Sequence, residues 1–322
     1  MKKVRSNFQI KGSLAIAISA ILWAVDGVLL TPRLYNLNVS FVVFLLHLLP
    51  FLIMSIFFAK EFRLLKTMSF SDFKYFFLVS LFGGALGTLS IVKSLFLMDF
   101  NHLSVIVLLQ KLQPVFAIAL ARILLKEQIK KHFALWAGIA IVAGYFLTFG
   151  WSLPDFSTNG INTLYAALFS ILAAFSFGSS TVFSKKILGN YSFVASTFYR
   201  YFFTTLIMLV IVIVGGHIVD FGLVTSTNWL FLVLIGLTTG SGAIFLYYYG
   251  LRKVTAMMST IIELLYPITA LVLDWVINKT ILSPVQWIAA IVMLFAIVKL
   301  NVRSKEKSDI KKNSYIAELK HK

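Results

Sequence analysis

LLQKLQPVFA, residues 108–117, and IIELLYPITA, residues 261–270, are the two segments that decide the fold of this chain. They align at a constant offset of 153 residues, so that Pro114 falls on Pro267. Each places a charged side chain in the middle of a long apolar run, Lys111 in the first and Glu263 in the second. A soluble protein would turn these side chains toward water, whereas a membrane span has no bulk water beside it. The composition of the whole chain decides between the two.

The composition is that of a protein that lies in lipid. Of the 322 residues, 59% are hydrophobic and 13% are charged, whereas about 25% of the residues in an ordinary soluble domain are charged. An apolar run of about 20 residues is long enough to cross a bilayer as a helix. The sequence predicts an all-α integral membrane protein with ten transmembrane helices, near residues 12–31, 40–59, 74–95, 102–124, 132–150, 163–184, 193–214, 228–249, 255–277 and 284–301.

The distribution of the basic residues predicts the orientation of these helices. Most of the 29 Lys and Arg residues fall in the two tails and in alternate loops, while the opposite loops hold Arg33 and Lys279. Cytoplasmic loops carry the excess of basic residues. We therefore expect a multi-pass protein of the plasma membrane with both termini, including a basic tail at 302–322, in the cytoplasm. The net charge of +17 then reflects topology, and nucleic acid is not an expected partner.

The offset that aligns the two proline segments holds along most of the chain. It predicts two halves, at residues 12–150 and 160–301, with five spans each. Because five is an odd number, the second half must enter the membrane from the opposite side. Secondary transporters use such inverted repeats to alternate access to a site near the bilayer midplane. The further pairs that coincide at this offset are Gly83 with Gly236, Gly87 with Gly240, His47 with Arg200, and Lys126 with Lys279.

Two five-span halves, with PVFA followed by LLKEQI at residues 124–129, resemble the EamA type of the drug/metabolite transporter superfamily. Lys126 and Glu127 match a Gly-Glu-like turn that is common after the fourth span of that family. The second half departs from the pattern, since Lys279 and Thr280 stand where an acidic residue is usual. The resemblance implies a ten-helix fold that moves small metabolites, often outward.

Polar residues within the spans are the candidates for a binding site. A charge at the bilayer centre costs at least ~2.5–3.5 kcal/mol, so each one needs a partner or water. At 100° per residue the polar residues of spans 1, 4, 6 and 9 each share a face, and we expect these faces to meet at a wet central cavity. The candidate substrate-binding residues are Trp23, Asp26, Gln110, Lys111, Gln113, Arg200, Glu263 and Tyr266, and the candidate hinges are Pro114 and Pro267.

Several of these residues have a second interpretation. Lys111 and Glu263 could form a structural ion pair that locks the two halves instead of binding substrate. His47 and Glu263 are candidates for binding a coupling ion, although a lone histidine more often packs with one hydrogen bond. Tyr247, Tyr248 and Tyr249 fit an aromatic belt at the cytoplasmic interface. Spans 5 and 10 carry few polar residues, which favours a lipid-facing scaffold.

The sequence favours a secondary transporter that exports a small polar metabolite, such as an amino acid, a related zwitterion or an organic acid, by alternating access. It contains no GxxxxGK[ST] loop that would bind ATP. The alternatives are a membrane-embedded enzyme, for which neither HExxH nor a loop carboxylate pair is present, and a channel or scaffold protein. Cysteine is absent and the five histidines are scattered, which argues against a metal site. We therefore expect a non-enzyme with no cofactor, whose partners are a substrate, the bilayer and a coupling ion.

Overall fold

The computed structural model describes residues 2–98, 109–153, 161–279, 281 and 283–300. Within these residues every regular element is a helix, as an all-α protein requires. The predicted basic tail at 302–322 and the first part of the predicted fourth span lie outside the described residues. We label the helices α1 Lys2–Val25, α2 Val39–Phe57, α3 Phe70–Val79, α4 Gly87–Leu97, α5 Gln113–Leu124, α6 Lys131–Phe149, α7 Ile161–Ile187, α8 Phe193–Val214, α9 Ser226–Ile235, α10 Ser241–Leu251, α11 Ala256–Ile262, α12 Leu265–Asn278 and α13 Pro284–Leu300.

Many of these helices join end to end into longer spans. Among the described residues, eight helical stretches are long and apolar enough to cross a membrane, and α5 and α13 are shorter apolar helices. By length and composition these stretches support a multi-pass, all-helical membrane protein, and the full set of ten spans stays a prediction. The eight stretches are Phe8–Leu34, Val39–Phe57, Phe70–Leu97, Lys131–Phe149, Ile161–Ile187, Phe193–Val214, Ser226–Leu251 and Ala256–Ile277.

Interruptions of the helices recur at the offset found in the sequence. A π-helical stretch at Ser80–Leu86 joins α3 to α4, and another at Gly236–Gly240 joins α9 to α10. Lys126 and Lys279 both adopt a left-handed conformation, with φ of 54° and 56°. Non-glycine residues rarely take this conformation, so its occurrence at two positions 153 residues apart shows that the backbones of the two halves share this turn.

The first long helix of each half packs against the other half. The α1 helix contacts α10 and α12, while α7 contacts α4 and α5. The α2 and α8 helices, which correspond to each other at the offset, pack together. The two halves are therefore interleaved rather than side by side, and helices from both halves surround the centre of the molecule.

Close packing of these helices depends on small residues at the π-helical stretch before α4. A Cβ atom added at Gly83 would overlap the side chain of Ser180, and one added at Gly84 would overlap Thr204. Glycine at these positions lets α7 and α8 approach the backbone directly, as small residues do between helices in membranes. This approach brings Arg200 of α8 within reach of the carbonyl oxygen of Gly83.

Candidate substrate-binding site

A cavity of about 270 Å³ lies between the two halves. Its volume is just below the ~300–1,000 Å³ that is usual for small-molecule pockets. All of the residues that the sequence singled out for binding, hinge motion or coupling line it, and so do further hydroxyl and aromatic side chains. The candidates on the wall are Trp23, Asp26, His47, Gln110, Lys111, Gln113, Pro114, Arg200, Glu263, Tyr266 and Pro267, and other lining residues include Thr31, Thr88, Phe177, Tyr201 and Tyr247.

Two broken helices place the central charges on this cavity. Residues 111–112 interrupt the helix that leads into α5, and residues 263–264 separate α11 from α12. Each break comes just before a proline, Pro114 or Pro267, which cannot donate the usual helical hydrogen bond. In lipid, such irregular backbone is tolerated where it lines a cavity or is buried in protein, and both prolines do line the cavity. Their action as hinges stays a prediction.

The carboxylate of Glu263 is held by three neutral donors. It accepts hydrogen bonds from Gln113 Nε2 at 2.7 Å, Tyr247 Oη at 2.9 Å and Ser259 Oγ at 3.0 Å. An ionised carboxylate has about four acceptor positions, so most of its hydrogen-bonding capacity is already used. Since Gln113 belongs to the first half and the other donors to the second, this carboxylate joins the two halves at the cavity wall.

The ammonium group of Lys111 turns away from Glu263 toward α6. It donates to the carbonyl oxygen of Gly144 at 2.9 Å and contacts the hydroxyl of Thr148. The ion pair that forms within the described residues is His217 with Asp220, at 3.2 Å. The alternative of a structural ion pair between Lys111 and Glu263 is therefore wrong. The α6 helix also does more than face lipid, because it supplies both partners of a lysine that is 6% exposed.

Arg200 and His47 also find partners that carry no formal charge. The guanidinium of Arg200 donates to Gly83 O at 2.7 Å and to the hydroxyl of Tyr248 at 3.2 Å. His47 Nδ1 lies 2.8 Å from Val43 O one helical turn earlier. Because a carbonyl can only accept, Nδ1 carries the proton in this contact. His47 thus makes the local hydrogen bond of a packing residue while it lines the cavity, and a role in coupling stays a prediction.

Asp26 and Tyr266 lie on the cavity wall contributed by the end of the first span and by α12, while Gln110 lines the cavity from the residues before α5. Asp26, at the start of the π-helical stretch Asp26–Leu30, accepts a hydrogen bond from Thr31 Oγ1 at 2.9 Å. The hydroxyl of Tyr266 approaches Gly27 so closely that an added Cβ would lie 3.0 Å from it. Through this contact α12 packs against the end of the first span.

Two residues of the site escaped the sequence analysis. Tyr247 and Tyr248 are 3% and 1% exposed, so they do not form the interfacial belt that the sequence suggested. The hydroxyl of Tyr247 pairs with Thr181 at 2.7 Å, and that of Tyr248 pairs with Ser184 at 2.8 Å. Three consecutive residues on a helix sweep about 200°, so three adjacent tyrosines could not all face lipid. That geometric signal was present in the sequence.

Glu127, the acidic residue of the family-like turn, caps a helix of the other half. Its two carboxylate oxygens accept hydrogen bonds from the backbone nitrogens of Ala256 at 2.9 Å and Met257 at 3.1 Å. A carboxylate at a helix N-terminus satisfies free N–H groups and complements the helix dipole. The corresponding departure in the second half, Thr280, lies outside the described residues.

Comparison with known proteins settles the family. The EamA-like transporter family matches residues 10–150 and again residues 164–302. The chain belongs to the EamA-like transporter family. This membership confirms the resemblance seen in the sequence, and the two matches fall on its two halves. A chain of this family with many apolar spans is a membrane transporter.

Two similar proteins extend the comparison. The riboflavin transporter ImpX of Fusobacterium nucleatum subsp. nucleatum is 52% identical over 293 residues, which cover 91% of this chain and 98% of the relative. A protein of known crystal structure superposes with a TM-score of 0.68 at 16% identity, covering 91% of this chain and 98% of the other. The structural likeness shows the fold, and the relative supports a transporter of a small metabolite.

Proposed function

We propose that this EamA-like transporter carries riboflavin across the plasma membrane through the central cavity. The observation that carries the proposal is the 52% identity with a riboflavin transporter over 98% of the length of that protein. The alignment covers nearly the whole relative, so this chain lacks no large segment of that protein. The proposal replaces the amino acid or organic acid that the sequence favoured with a larger, planar and neutral metabolite.

The chemistry of the cavity supports such a substrate. Riboflavin has a flat ring system with one apolar edge and one edge of amide-like groups, and a chain of hydroxyls. Pockets for such molecules are mostly apolar with a few placed polar groups. Aromatic side chains of the cavity suit the ring, and amides and hydroxyls suit its polar edge and its chain. The groups available include Trp23, Phe177, Gln110, Thr31 and Thr88.

Electrostatics also favours a neutral substrate over an ion. Lys111, Arg200 and Glu263 each have neutral hydrogen-bonding partners that hold them in place. A charged substrate would have to break these contacts or enter beside buried charges of both signs. A neutral ring with donors and acceptors can bind at the cavity wall without breaking these hydrogen bonds.

The architecture supports alternating access as the mechanism. We propose ten spans in two inverted halves, with both termini in the cytoplasm and the cavity alternately open to each side. The recurrence of element order and of the left-handed Lys126 and Lys279 at one offset supports the repeat. Asp155→Cys and Asp220→Cys, in a chain with no native cysteine, should react with an impermeant thiol reagent from outside. Labelling of either position only after the membrane is disrupted would contradict this topology.

Transport into proteoliposomes tests the function directly. Purified protein in vesicles should take up radiolabelled riboflavin in a saturable manner, and excess unlabelled riboflavin should compete. Amino acids and organic acids, offered at the same excess, should not. Loading the vesicles and following efflux determines the preferred direction, since the sequence favoured export. Absence of saturable riboflavin uptake, together with saturable uptake of a labelled amino acid or organic acid, would overturn the proposed substrate and restore the earlier interpretation.

The same vesicles separate a transporter from the alternative classes. A membrane enzyme would alter the recovered riboflavin, which mass spectrometry detects. A channel would pass it without saturation. Unaltered substrate and a saturable rate are the results expected for a secondary transporter.

A further inference from the structure

Tyr247 connects Glu263 to Trp23, an aromatic residue of the cavity wall. The hydroxyl of Tyr247 bonds to Glu263 at 2.9 Å, and its ring centroid lies 5.3 Å from that of Trp23, with the planes tilted by 55°. Both residues line the cavity, but Tyr247 is only 3% exposed, whereas Trp23 is partly buried and presents more of its ring. The tyrosine thus supports the indole from the interior, and the indole contributes surface to the cavity.

Several hydrogen bonds hold Tyr247 and Glu263 in place behind Trp23. Tyr247 also bonds to Thr181 at 2.7 Å, and Ser259 Oγ, whose hydrogen is donated to Glu263, lies 3.3 Å from its hydroxyl. Glu263, which accepts from Tyr247, is itself fixed by Gln113 at 2.7 Å. Side chains from α5, α7 and α11 therefore hold one tyrosine in place. A ring fixed by such contacts loses little conformational freedom when a ligand binds beside it, which favours affinity.

We propose that Trp23 is the surface on which the ring system of the substrate stacks, and that Glu263 positions this surface through Tyr247. The proposal rests on the proposed transport of a flavin and assigns the part of the cavity that recognises its ring. Stacking of a planar heterocycle on an aromatic side chain changes affinity about 5- to 150-fold when the side chain is truncated. In this arrangement Trp23 contacts the substrate, and Tyr247 and Glu263 are positioning residues.

This assignment changes the role of Glu263. The sequence made it a ligand of substrate or of a coupling ion, but three of its acceptor positions are occupied by protein donors. Its partner Tyr247 contacts the residue that faces the substrate. Loss of the carboxylate should therefore act on binding through the tyrosine, and the two positions should behave as one unit.

Flavin fluorescence gives a test that does not depend on transport. An indole in contact with a flavin quenches its emission, because the excited flavin accepts an electron from the indole. Riboflavin is titrated with the purified protein in detergent. The wild type should quench strongly on binding. Trp23→Phe should lose most of the quenching and raise Kd about 5- to 10-fold. The control Trp136→Phe, whose ring packs on His132 and Phe295, should behave as the wild type.

A double-mutant cycle tests the positioning role. Tyr247→Phe, which removes the contact, should raise Kd about 3-fold, and Glu263→Gln, which replaces the charged acceptor with a weaker neutral one, should raise it less; the double variant should be no weaker than Tyr247→Phe alone, because both changes act on the same contact. Tyr199→Phe is the matched control, since it removes a buried hydroxyl that donates to Glu61 O at 2.6 Å. Effects that multiply in the double variant, or an equal loss in the control, would overturn the positioning role.

The outcomes separate this proposal from the proposed function. If the wild type transports riboflavin while Trp23→Phe keeps the wild-type Kd and quenching, the stacking surface is wrong and flavin transport stands. If the wild type neither binds nor transports riboflavin, both are wrong. Should Trp23→Phe fail to purify, Trp23→Tyr retains an aromatic ring and should show the same direction of change with a smaller effect.

Discussion

The two broken helices are interrupted in the same way, but their charged side chains bind different partners. Each is interrupted just before a proline, at residues 111–112 and at 263–264. The charge of the first break, Lys111, reaches into α6 of its own half, to Gly144 and Thr148. The charge of the second, Glu263, takes a donor from the opposite half, Gln113. The repeat therefore sets where a charge can reach the cavity, while the neighbouring side chains decide what it binds.

This difference has an energetic consequence. Hydrogen bonds to charged groups contribute about 1.5–3 kcal/mol each, and a buried polar group left without a partner costs about 1–3 kcal/mol. Glu263 is the shared acceptor of three donors, so its removal strands several groups at once. Lys111 is a donor to groups that also bond to each other, since Thr148 Oγ1 donates to Gly144 O at 3.0 Å. The second break should therefore matter more for stability than the first.

The largest expected effect is that of Glu263→Leu. The variant leaves the donors on Gln113, Tyr247 and Ser259 without their acceptor, and we expect the free energy of unfolding to fall by ~3–5 kcal/mol. The thermal midpoint in detergent and the yield of monodisperse protein report this loss. Glu263→Gln, which keeps an acceptor oxygen, is the control and should lose far less. A Glu263→Leu protein with the midpoint of the wild type would contradict the asymmetry between the breaks.

Lys111→Met should separate transport from stability. The change removes a buried charge, and Thr148 still satisfies Gly144 O, so we expect the midpoint to stay near that of the wild type. Riboflavin uptake should fall at least ~10-fold if the lysine orients substrate or stabilises one state of the cavity. In the double variant with Glu263→Leu the stability effects should add, because the two groups belong to separate networks. Recovery of either stability or transport in that variant would show that the two charges are a pair after all.

The glycines that correspond in the two halves sharpen the comparison further. Gly83→Ala brings a Cβ onto Ser180, and we expect it to cost ~1–3 kcal/mol through overpacking. At Gly236 the nearest atom to an added Cβ is Pro50 Cγ at 3.6 Å, an ordinary contact, so Gly236→Ala should stay within ~0.5 kcal/mol of the wild type. Thermal midpoints of the two variants check this directly. Equal losses would mean that the two positions pack alike.

The smallest expected effect is a slight gain in stability on replacing Lys126 or Lys279 with glycine, and it should be similar in the two halves. Lys126 and Lys279 both hold a left-handed backbone, which costs ~1–2 kcal/mol for a residue with a Cβ. Replacing either by glycine relieves this cost but increases the entropy of the unfolded chain, so we expect a net gain of at most ~1 kcal/mol at each. Chemical or thermal unfolding of the two single variants measures it. A gain at one position with a loss at the other would show that the turns differ.

The sequence predicted the fold better than the contacts of the site. Periodicity and apolar length identified spans because a bilayer requires every backbone group to be bonded within its own helix. The same reasoning placed Lys111, Glu263 and Arg200 on the cavity, since a charge inside a span must face protein or water. It could not tell which partner each charge would find. Tyr247 was misplaced because the tyrosines were interpreted by their position near the end of a span instead of by the face each one occupies.

The amino-acid sequence by itself determined a basic, multi-pass helical protein with two related halves and polar groups at matching positions. These features follow from local rules that act within one helix or between residues at a fixed spacing. Only the tertiary structure decided that the halves interleave, that Lys111 binds α6 while Glu263 joins the halves, and that Tyr247 supports Trp23 at the cavity. The physical reason is that a side chain's partner depends on which helices are neighbours and on their rotation. That arrangement is settled by packing among all the helices together, to which each segment contributes only one face.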